Sequence, residues 1–325
     1  MTVHKHPRNP PKARSAVALV RYDNETADVS RPPTQPSALR GTVFRGSEAV
    51  ADGVLTPRQL DGKSWRRLYR DVYADATVPH THQLVVRGAL LVIPDGAVIS
   101  GRSAAYLWGA AMSEPSGPVA IWSPRRFGPV RGLTIRVSPV PARCVTAHRG
   151  IPLCTPEHAA WEMAWTLPLY EAVEWIDALA RRRHLSRARL VEHCAAHPSA
   201  RARRRALTRL SLADARSESP PESTVRVALA IAGIEPPVPQ YSVMRHGYFI
   251  ARVDLAWPAL RFAVEYDGQW HADRDQLARD RRRLRELTAA GWQVYHVTRD
   301  DLRDLDRLVR GIAAAITARR GELSR

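Results

Sequence analysis

Two segments near the C-terminal end of the chain alternate strictly between apolar and polar residues. This period of two is typical of half-buried β-strands, and the two arms predict a β-hairpin. The polar face carries Arg252 and Asp254 on the first arm and Glu265 and Asp267 on the second. The apolar residues expected to share a face are Phe249, Val253 and Leu255 on the first arm and Phe262, Val264 and Tyr266 on the second.

The turn of this hairpin sets which acidic residues face each other. If Ala259 and Leu260 form its tip, Asp254 lies directly opposite Glu265. Opposed Cβ atoms are about 4.5–5.5 Å apart, and like charges there repel. A divalent cation would remove the repulsion, and oxygen ligands suit Mg²⁺ or Mn²⁺. In the alternative reading, the acids line a solvated face, Asp267 only begins a turn, and a one-residue slip separates the acids.

The same residues resemble a known nuclease family. The pattern begins with Asp254, which is followed after ten residues by Glu265 and after one more residue by Asp267-Gly268. His271 comes next, and then Asp280, Arg283, Leu287 and Gly291-Trp292. This pattern, with Ser219-Pro220-Pro221-Glu222-Ser223 at a helix start, is similar to the very-short-patch-repair-like branch of the PD-(D/E)XK nuclease superfamily. The resemblance covers roughly residues 217–320. It implies a mixed sheet flanked by helices, with helices at 276–289 and 302–317 around a strand at 292–297.

The resemblance also implies roles for individual residues. Asp254 and Glu265 would hold Mg²⁺ or Mn²⁺, and Glu222 would be aimed at the metal, although an acid in the first helical turn also favours the helix dipole. His271 would act as general base or orient the water, and Asp267 would complete the metal shell or orient His271. Most of the superfamily has a lysine two residues after the glutamate. Here Asp267 takes that position, and no lysine follows Lys63.

The charge of the chain favours a nucleic-acid partner, most simply DNA. The formal net charge is +17, but only three of the 49 basic residues are lysines, which also fits an arginine-rich, high-GC coding bias. Arginine clusters at 181–183, 201–205 and 279–285. Such runs are usually solvated helix faces, and the last is the best candidate for phosphate contact. We take Arg252, Arg282 and Arg283 as the nucleic-acid-binding candidates; Arg283 would clamp phosphate or, as favoured, pair with Asp280.

Other features exclude several classes of protein. No apolar run approaches the roughly 18 residues that a membrane span needs, and the basic N-terminus has no secretory core, so a cytoplasmic protein is predicted. Cys144, Cys154 and Cys194 fit reduced, buried thiols better than disulfides or a zinc site. The histidines at 184, 193 and 197 are expected on the surface or at helix caps.

The remainder predicts three further regions before a nuclease-like domain at 217–325. Residues 1–40 read as a disordered basic tail, 41–114 as a degenerate winged-helix-like domain, and 115–216 as strands followed by helices. Segments at 53–60, 72–74 and 99–109 are similar to the N-terminal part of AbiEi-type antitoxins, a winged helix-turn-helix. Only four residues separate Leu60 from Trp65, too few for a recognition helix, which favours a scaffold or protein-partner role.

Two functions therefore stay open for this α/β (α+β) chain. The first is a metal-dependent endonuclease that hydrolyses phosphodiester bonds, most simply in DNA. The second is a non-catalytic, antitoxin-like or regulatory protein that binds DNA or protein through a degenerate nuclease fold.

Overall fold

The computed structural model describes residues 35–110, 117–182, 185–196, 199–268 and 274–325. The fold is mixed α/β, as predicted, with three separate sheets. Residue contacts divide the chain into two units. The first runs to Ile93 and includes Ala147–Ile151, and the second contains Pro94–Thr146 and Pro152–Arg325. The domain boundaries predicted after residues 114 and 216 fall inside the second unit and stay predictions.

The first unit is built on a small antiparallel sheet in the order β1-β3-β2. Thr56 begins α2 with a reciprocal capping box, in which its side chain and that of Gln59 each accept the other's backbone N–H. The helix is a single turn, so residues 61–64 contain no recognition helix, as expected. The elements are β1 (Val43–Arg45), α1 (Gly46–Ala51), α2 (Pro57–Leu60), β2 (Trp65–Tyr69), β3 (Val72–Asp75) and α3 (His82–Leu90).

The stretch from Trp65 to Ala74 alternates like a single strand, but it folds as a hairpin. The chain reverses between Tyr69 and Val72, where Asp71 has a φ of 59°. The carboxylate of Asp71 accepts hydrogen bonds from the backbone N–H of Ser47 at 2.8 Å and from its hydroxyl. An aspartate tolerates this left-handed conformation because its short polar side chain can bond locally.

The middle of the chain contains a five-stranded sheet in the order β6-β5-β4-β8-β7 and a group of helices. The order predicted for residues 115–216, strands followed by helices, is present in the structure. The elements are β4 (Val98–Ile99), α4 (Gly101–Ala105), β5 (Val119–Ser123), β6 (Leu133–Val137), β7 (Val145–His148), β8 (Ile151–Cys154), α5 (Pro156–Thr166), α6 (Leu169–Arg181), α7 (Arg187–Ala195) and α8 (Ala200–Ser211).

The C-terminal part holds a four-stranded mixed sheet in the order β12-β11-β10-β9. β10 is antiparallel to β9 and β11, whereas β11 and β12 are parallel and joined by the crossover helix α10. This agrees with the predicted hairpin, helix, strand and final helix. The elements are α9 (Pro220–Ile231), β9 (Val238–Arg245), β10 (Tyr248–Trp257), β11 (Phe262–Asp267), α10 (Arg274–Ala289), β12 (Gln293–Thr298) and α11 (Leu305–Leu323).

Helices cover both faces of this sheet, and the first arm does not keep one apolar face. Leu255 packs in a buried cluster with Leu229 of α9 and Ile312 of α11. Val253 instead packs in a second cluster with Leu287 of α10. The prediction that Val253 and Leu255 share a face is therefore wrong. The apolar residues thus change from one buried cluster to the other between Val253 and Leu255, and Asp254 lies at this change.

Candidate carboxylate site

The hairpin register brings Asp254 and Glu265 together. β10 and β11 pair through Trp257–Phe262, Ala256–Ala263 and Leu255–Val264, and the next pair in this register is Asp254 with Glu265. There the carboxylate of Asp254 accepts the backbone N–H of Tyr266 at 2.9 Å. The predicted hairpin register is confirmed as far as Leu255–Val264, and its continuation sets Asp254 opposite Glu265. The side chain of Asp254 continues the hydrogen bonding where the backbone ladder stops.

A third acid, Glu222, lies close to this pair. It occupies the first turn of α9 and is only 6% exposed. Its carboxylate accepts the backbone N–H of Glu218 at 2.9 Å and the hydroxyl of Ser219 at 2.7 Å. It also accepts Nε2 of Gln240 at 2.7 Å, and the same nitrogen lies 3.4 Å from Oδ1 of Asp254. Glu222 is therefore held at the start of α9 by Glu218 and by Ser219, the N-cap residue, and is also linked to Asp254.

Gln240 is a site residue that the sequence analysis missed. It lies on β9, a strand that was not predicted, and adopts a φ of 52°. A non-glycine residue with positive φ is strained, and such residues are found preferentially at functional sites. Its amide donates to both carboxylates, so it fixes the distance between Glu222 and Asp254. No spacing in the sequence connects it with the acids.

The cation that meets Glu265 in the structure is Arg283. Its guanidinium on α10 contacts Oε1 of Glu265, and its Nη2 lies 3.4 Å from the backbone oxygen of Arg252. The Glu265 side chain is 7% exposed, whereas that of Arg283 is 38% exposed. Glu265 is thus a partner of Arg283 that was not predicted, whereas the favoured pairing with Asp280, one turn earlier, stays a prediction. A buried carboxylate on the sheet interacts more strongly with the guanidinium than an acid on the same helix face.

Burial makes all three acids harder to ionise. Desolvation raises the pKa of Asp254, of Glu222 and of Glu265. The charge of Asp254 raises the pKa of Glu265 further, and the guanidinium of Arg283 opposes the rise at both residues. The negative charge of Asp254 also raises the pKa of Glu222. One arginine thus balances a cluster with more acids than nearby cations, which favours binding of an additional cation.

The fourth predicted acid, Asp267, pairs with a histidine that the sequence analysis did not select. Its Oδ2 lies 2.9 Å from Nδ1 of His296, and both side chains are about 40% exposed, at 42% and 40% respectively. His296 is the β12 partner of Glu265 in the parallel ladder. The predicted general base, His271, lies outside the described residues. Parallel pairing across a helix cannot be read from spacing, which is why His296 was missed.

Arg252 and Arg282, two of the arginines predicted to contact phosphate, are exposed. Arg252 forms an exposed ion pair with Glu218 at 2.7 Å, and Arg282 is exposed on α10. Three more exposed arginines share this helix with Arg282 and Arg283, which gives α10 a basic outer surface beside the carboxylates. They are Arg279, Arg281 and Arg285.

The donor types in this cluster fit a hard cation, but the carboxylates are not gathered as a three-ligand set. Carboxylate oxygens are the ligands that Mg²⁺ and Mn²⁺ prefer. Within the described parts of the chain, the group of three ligand atoms lying within 4.8 Å of one another is Cys144, His158 and His193. Asp254 and Glu265 therefore fit as two protein ligands, and a cation bound to Glu265 would compete with Arg283.

The cysteines and histidines are placed in a way that was only partly expected. Cys144, Cys154 and Cys194 are buried free thiols, as predicted. His193, expected at the surface or a cap, is half-buried in the last turn of α7. Its Nε2 lies 3.2 Å from Nδ1 of the buried His158, a contact that was not predicted. His184 and His197 lie outside the described residues.

No protein-family model matches the chain. The chain is 32% identical over 185 residues to the uncharacterized proteins MT2308 and Rv2248 of Mycobacterium tuberculosis, from strains CDC 1551 / Oshkosh and ATCC 25618 / H37Rv. Each match covers 55% of this chain, which spans 65% of the relative. The crystal structure of the RV2827C protein from Mycobacterium tuberculosis is similar with a TM-score of 0.40 and 17% identity, covering 63% of this chain and 84% of that one. Among the described helices, none has the length and apolar character required to cross a bilayer.

Proposed function

We propose that the chain is a metal-dependent endonuclease that hydrolyses phosphodiester bonds, most simply in DNA. The observation that carries the proposal is the convergence of Asp254 and Glu265 at the end of the β10–β11 ladder, with Glu222 linked to them through Gln240. Buried acids with raised pKa values in one cluster are a common feature of functional sites. The resemblance to very-short-patch-repair-like nucleases assigns the same residues to catalysis.

In this proposal Asp254 and Glu265 hold Mg²⁺ or Mn²⁺. The bound ion would lower the pKa of a coordinated water and stabilise negative charge on the phosphate. Glu222 and Gln240 orient Asp254, because the amide of Gln240 contacts both carboxylates. Arg252 and Arg282 contact phosphates on either side, and Arg283 joins them when it leaves Glu265.

The proton acceptor need not be a lysine. His296 is paired through Nδ1 with Asp267 at 2.9 Å, an arrangement that fixes the orientation of the ring. It lies beside Glu265 in the sheet. We propose that His296 accepts the proton of the attacking water, a role assigned to His271 by the family resemblance.

The Arg283–Glu265 contact favours a second candidate function. An arginine bound to a metal-binding acid supplies the positive charge that a cation would otherwise supply, and it stabilises the fold without catalysis. The chain would then be a non-catalytic protein, similar to AbiEi-type antitoxins, that binds DNA or a protein partner through its N-terminal region. A neighbouring gene that encodes a nucleotidyltransferase-type toxin would support this candidate.

Plasmid cleavage separates the two candidates. Purified full-length protein is incubated with supercoiled plasmid and Mg²⁺ or Mn²⁺, beside Asp254→Asn, Glu265→Gln and the control Asp300→Asn. Asp300 is an exposed acid, 79% accessible, that forms an ion pair with Arg303, three residues later. We expect cutting by the wild type and the control and a loss of at least about 10- to 100-fold in both site variants. Equal cutting by all four proteins, or none by any, would refute the nuclease proposal, and a gel-shift assay then tests DNA binding alone.

A further inference from the structure

We propose that Cys144, His158 and His193 form a zinc-binding site, separate from the carboxylate cluster. Three elements supply the ligands. Cys144 ends a 3₁₀ turn at Ala142–Cys144, His158 lies in the first turn of α5, and His193 lies near the end of α7. The spacing of 14 and then 35 residues matches no short zinc motif, so only the fold brings these side chains together.

The distances fit a tetrahedral ion. One ligand atom from each residue lies within 4.8 Å of the other two. Nδ1 of His158 and Nε2 of His193 are 3.2 Å apart. Two nitrogens bound to zinc at about 2.0–2.1 Å in tetrahedral geometry would be about 3.3–3.4 Å apart. The two imidazoles can therefore share an ion with little movement.

The surroundings fix the imidazoles in place. The ring of His158 stacks on Trp122, with centroids 3.8 Å apart and an interplanar angle of 1°. Trp161 lies against both histidines, at 5.4 Å from His158 and 6.0 Å from His193. Cys144 and His158 are each only 3% exposed. Ligands held by packing need little ordering on metal binding, which favours affinity.

A carboxylate lies near the second nitrogen of His158. Its Nε2, the nitrogen that does not face His193, lies 3.9 Å from Oε2 of Glu162, beyond hydrogen-bond distance. Glu162 is itself held by the backbone N–H of Gly101 at 3.1 Å. A ligating histidine in a zinc protein usually donates its second N–H to such a carboxylate, so metal binding should draw His158 and Glu162 together.

The donor set selects the class of metal. One thiolate and two imidazoles suit Zn²⁺, whereas Mg²⁺ and Ca²⁺ require oxygen ligands. Three protein ligands leave a fourth position for water. Because the ligands come from the 142–144 turn, α5 and α7, the ion would join these three elements, and its effect would be on stability.

Metal analysis of the full-length protein tests the site. Wild type, Cys144→Ala, His193→Ala and the control Cys194→Ala are purified without chelator, and zinc is measured by mass spectrometry. Cys194 is a buried thiol on the same helix as His193 but outside the three-ligand group, so it controls for disturbance of α7. We expect about one zinc per chain in the wild type and the control and a loss of at least about tenfold in the two ligand variants.

Cobalt gives a second readout that needs no variant to fold. Co²⁺ added to metal-free wild type should produce a thiolate-to-cobalt charge-transfer band and the intense visible bands of a tetrahedral ion, and Zn²⁺ should abolish both. Added Zn²⁺ should also raise the melting temperature of the wild type but not of Cys144→Ala. Absence of the cobalt bands, or zinc retained fully by Cys144→Ala, would overturn the proposal.

Discussion

Replacement of Arg283 by methionine tests whether the guanidinium is the cation that makes the acidic pair tolerable. Methionine keeps most of the apolar stem and removes the charge. In the variant, Glu265 keeps a side chain that is only 7% exposed, and Asp254 still faces it across the hairpin. We therefore expect Arg283→Met to be destabilised at neutral pH, because two opposed carboxylates lose their nearest cation.

The size of the effect follows from the burial of the two partners. Removal of one partner from a fully buried ion pair costs about 3–5 kcal/mol. The Arg283 side chain is 38% exposed, so solvent screens part of the interaction. We expect a loss of about 2 kcal/mol in the free energy of unfolding. With a urea m-value of about 2 kcal/mol/M, the unfolding midpoint would fall by about 1 M.

The pH dependence gives the sharper test. In the wild type the pKa values of Glu265 and Asp254 are raised in the folded state by burial, and Arg283 opposes the rise. A raised folded pKa means that the group's stabilisation is fully present below its unfolded pKa, near 4, and is lost as pH rises through the folded pKa. Without Arg283 both folded values rise further. The stability difference between wild type and variant should therefore be largest near pH 8 and shrink as pH falls toward 5.

Urea unfolding followed by circular dichroism measures this difference, and Arg282→Met is the matched control. Arg282 is the neighbouring, exposed arginine on the same helix. Mg²⁺ should restore part of the stability of Arg283→Met, by about 2.7 kcal/mol at a hundred times its dissociation constant. Equal stability of the two arginine variants at pH 8, or a penalty that does not shrink on acidification, would refute the reasoning.

Two further predictions concern the core and a buried carboxyl group. Phe262→Ala should lower the free energy of unfolding by about 3–5 kcal/mol, because Phe262 is 0% exposed and packs with Leu229 and Ile312. The control Phe249→Ala, at a position 62% exposed, should change it by less than about 0.5 kcal/mol. Equal losses in chemical unfolding would contradict this prediction. Burial raises the pKa of Asp177 to about 6 from 3.8, although Arg226 lies 2.6 Å away. Its carboxyl carbon should therefore titrate near pH 6 by NMR, and about 3 kcal/mol of stability should be lost as pH rises from about 4 to about 6. A titration midpoint near pH 4 would refute this expectation.

The hairpin could be predicted because its information is local. The apolar residues and the turn between Trp257 and Phe262 are close in sequence, so they set the register and place Asp254 opposite Glu265. The helix α10 and the strand β12 were instead expected from the family resemblance, and the structure contains both.

The remaining contacts depend on segments that are far apart along the chain. Gln240 and His296 reach the acids from β9 and β12, and neither strand's register follows from spacing. Arg283 was assigned to its helical neighbour Asp280 because burial cannot be read from a helix pattern, and burial is what makes Glu265 the stronger partner. The two histidines near Cys144 come together only through tertiary packing.

The hydrogen bond from the backbone N–H of Tyr266 gives Asp254 a structural role that is independent of any catalytic role. The carboxylate of Asp254 accepts a backbone N–H at the point where the ladder stops, so this acid contributes to the hairpin whether or not it also binds a cation. An acid at position 254 should therefore be retained for folding even in relatives without nuclease activity. Glu265 and Arg283 pair with each other through their side chains, so their joint substitution would mark a relative that lacks the proposed cation site.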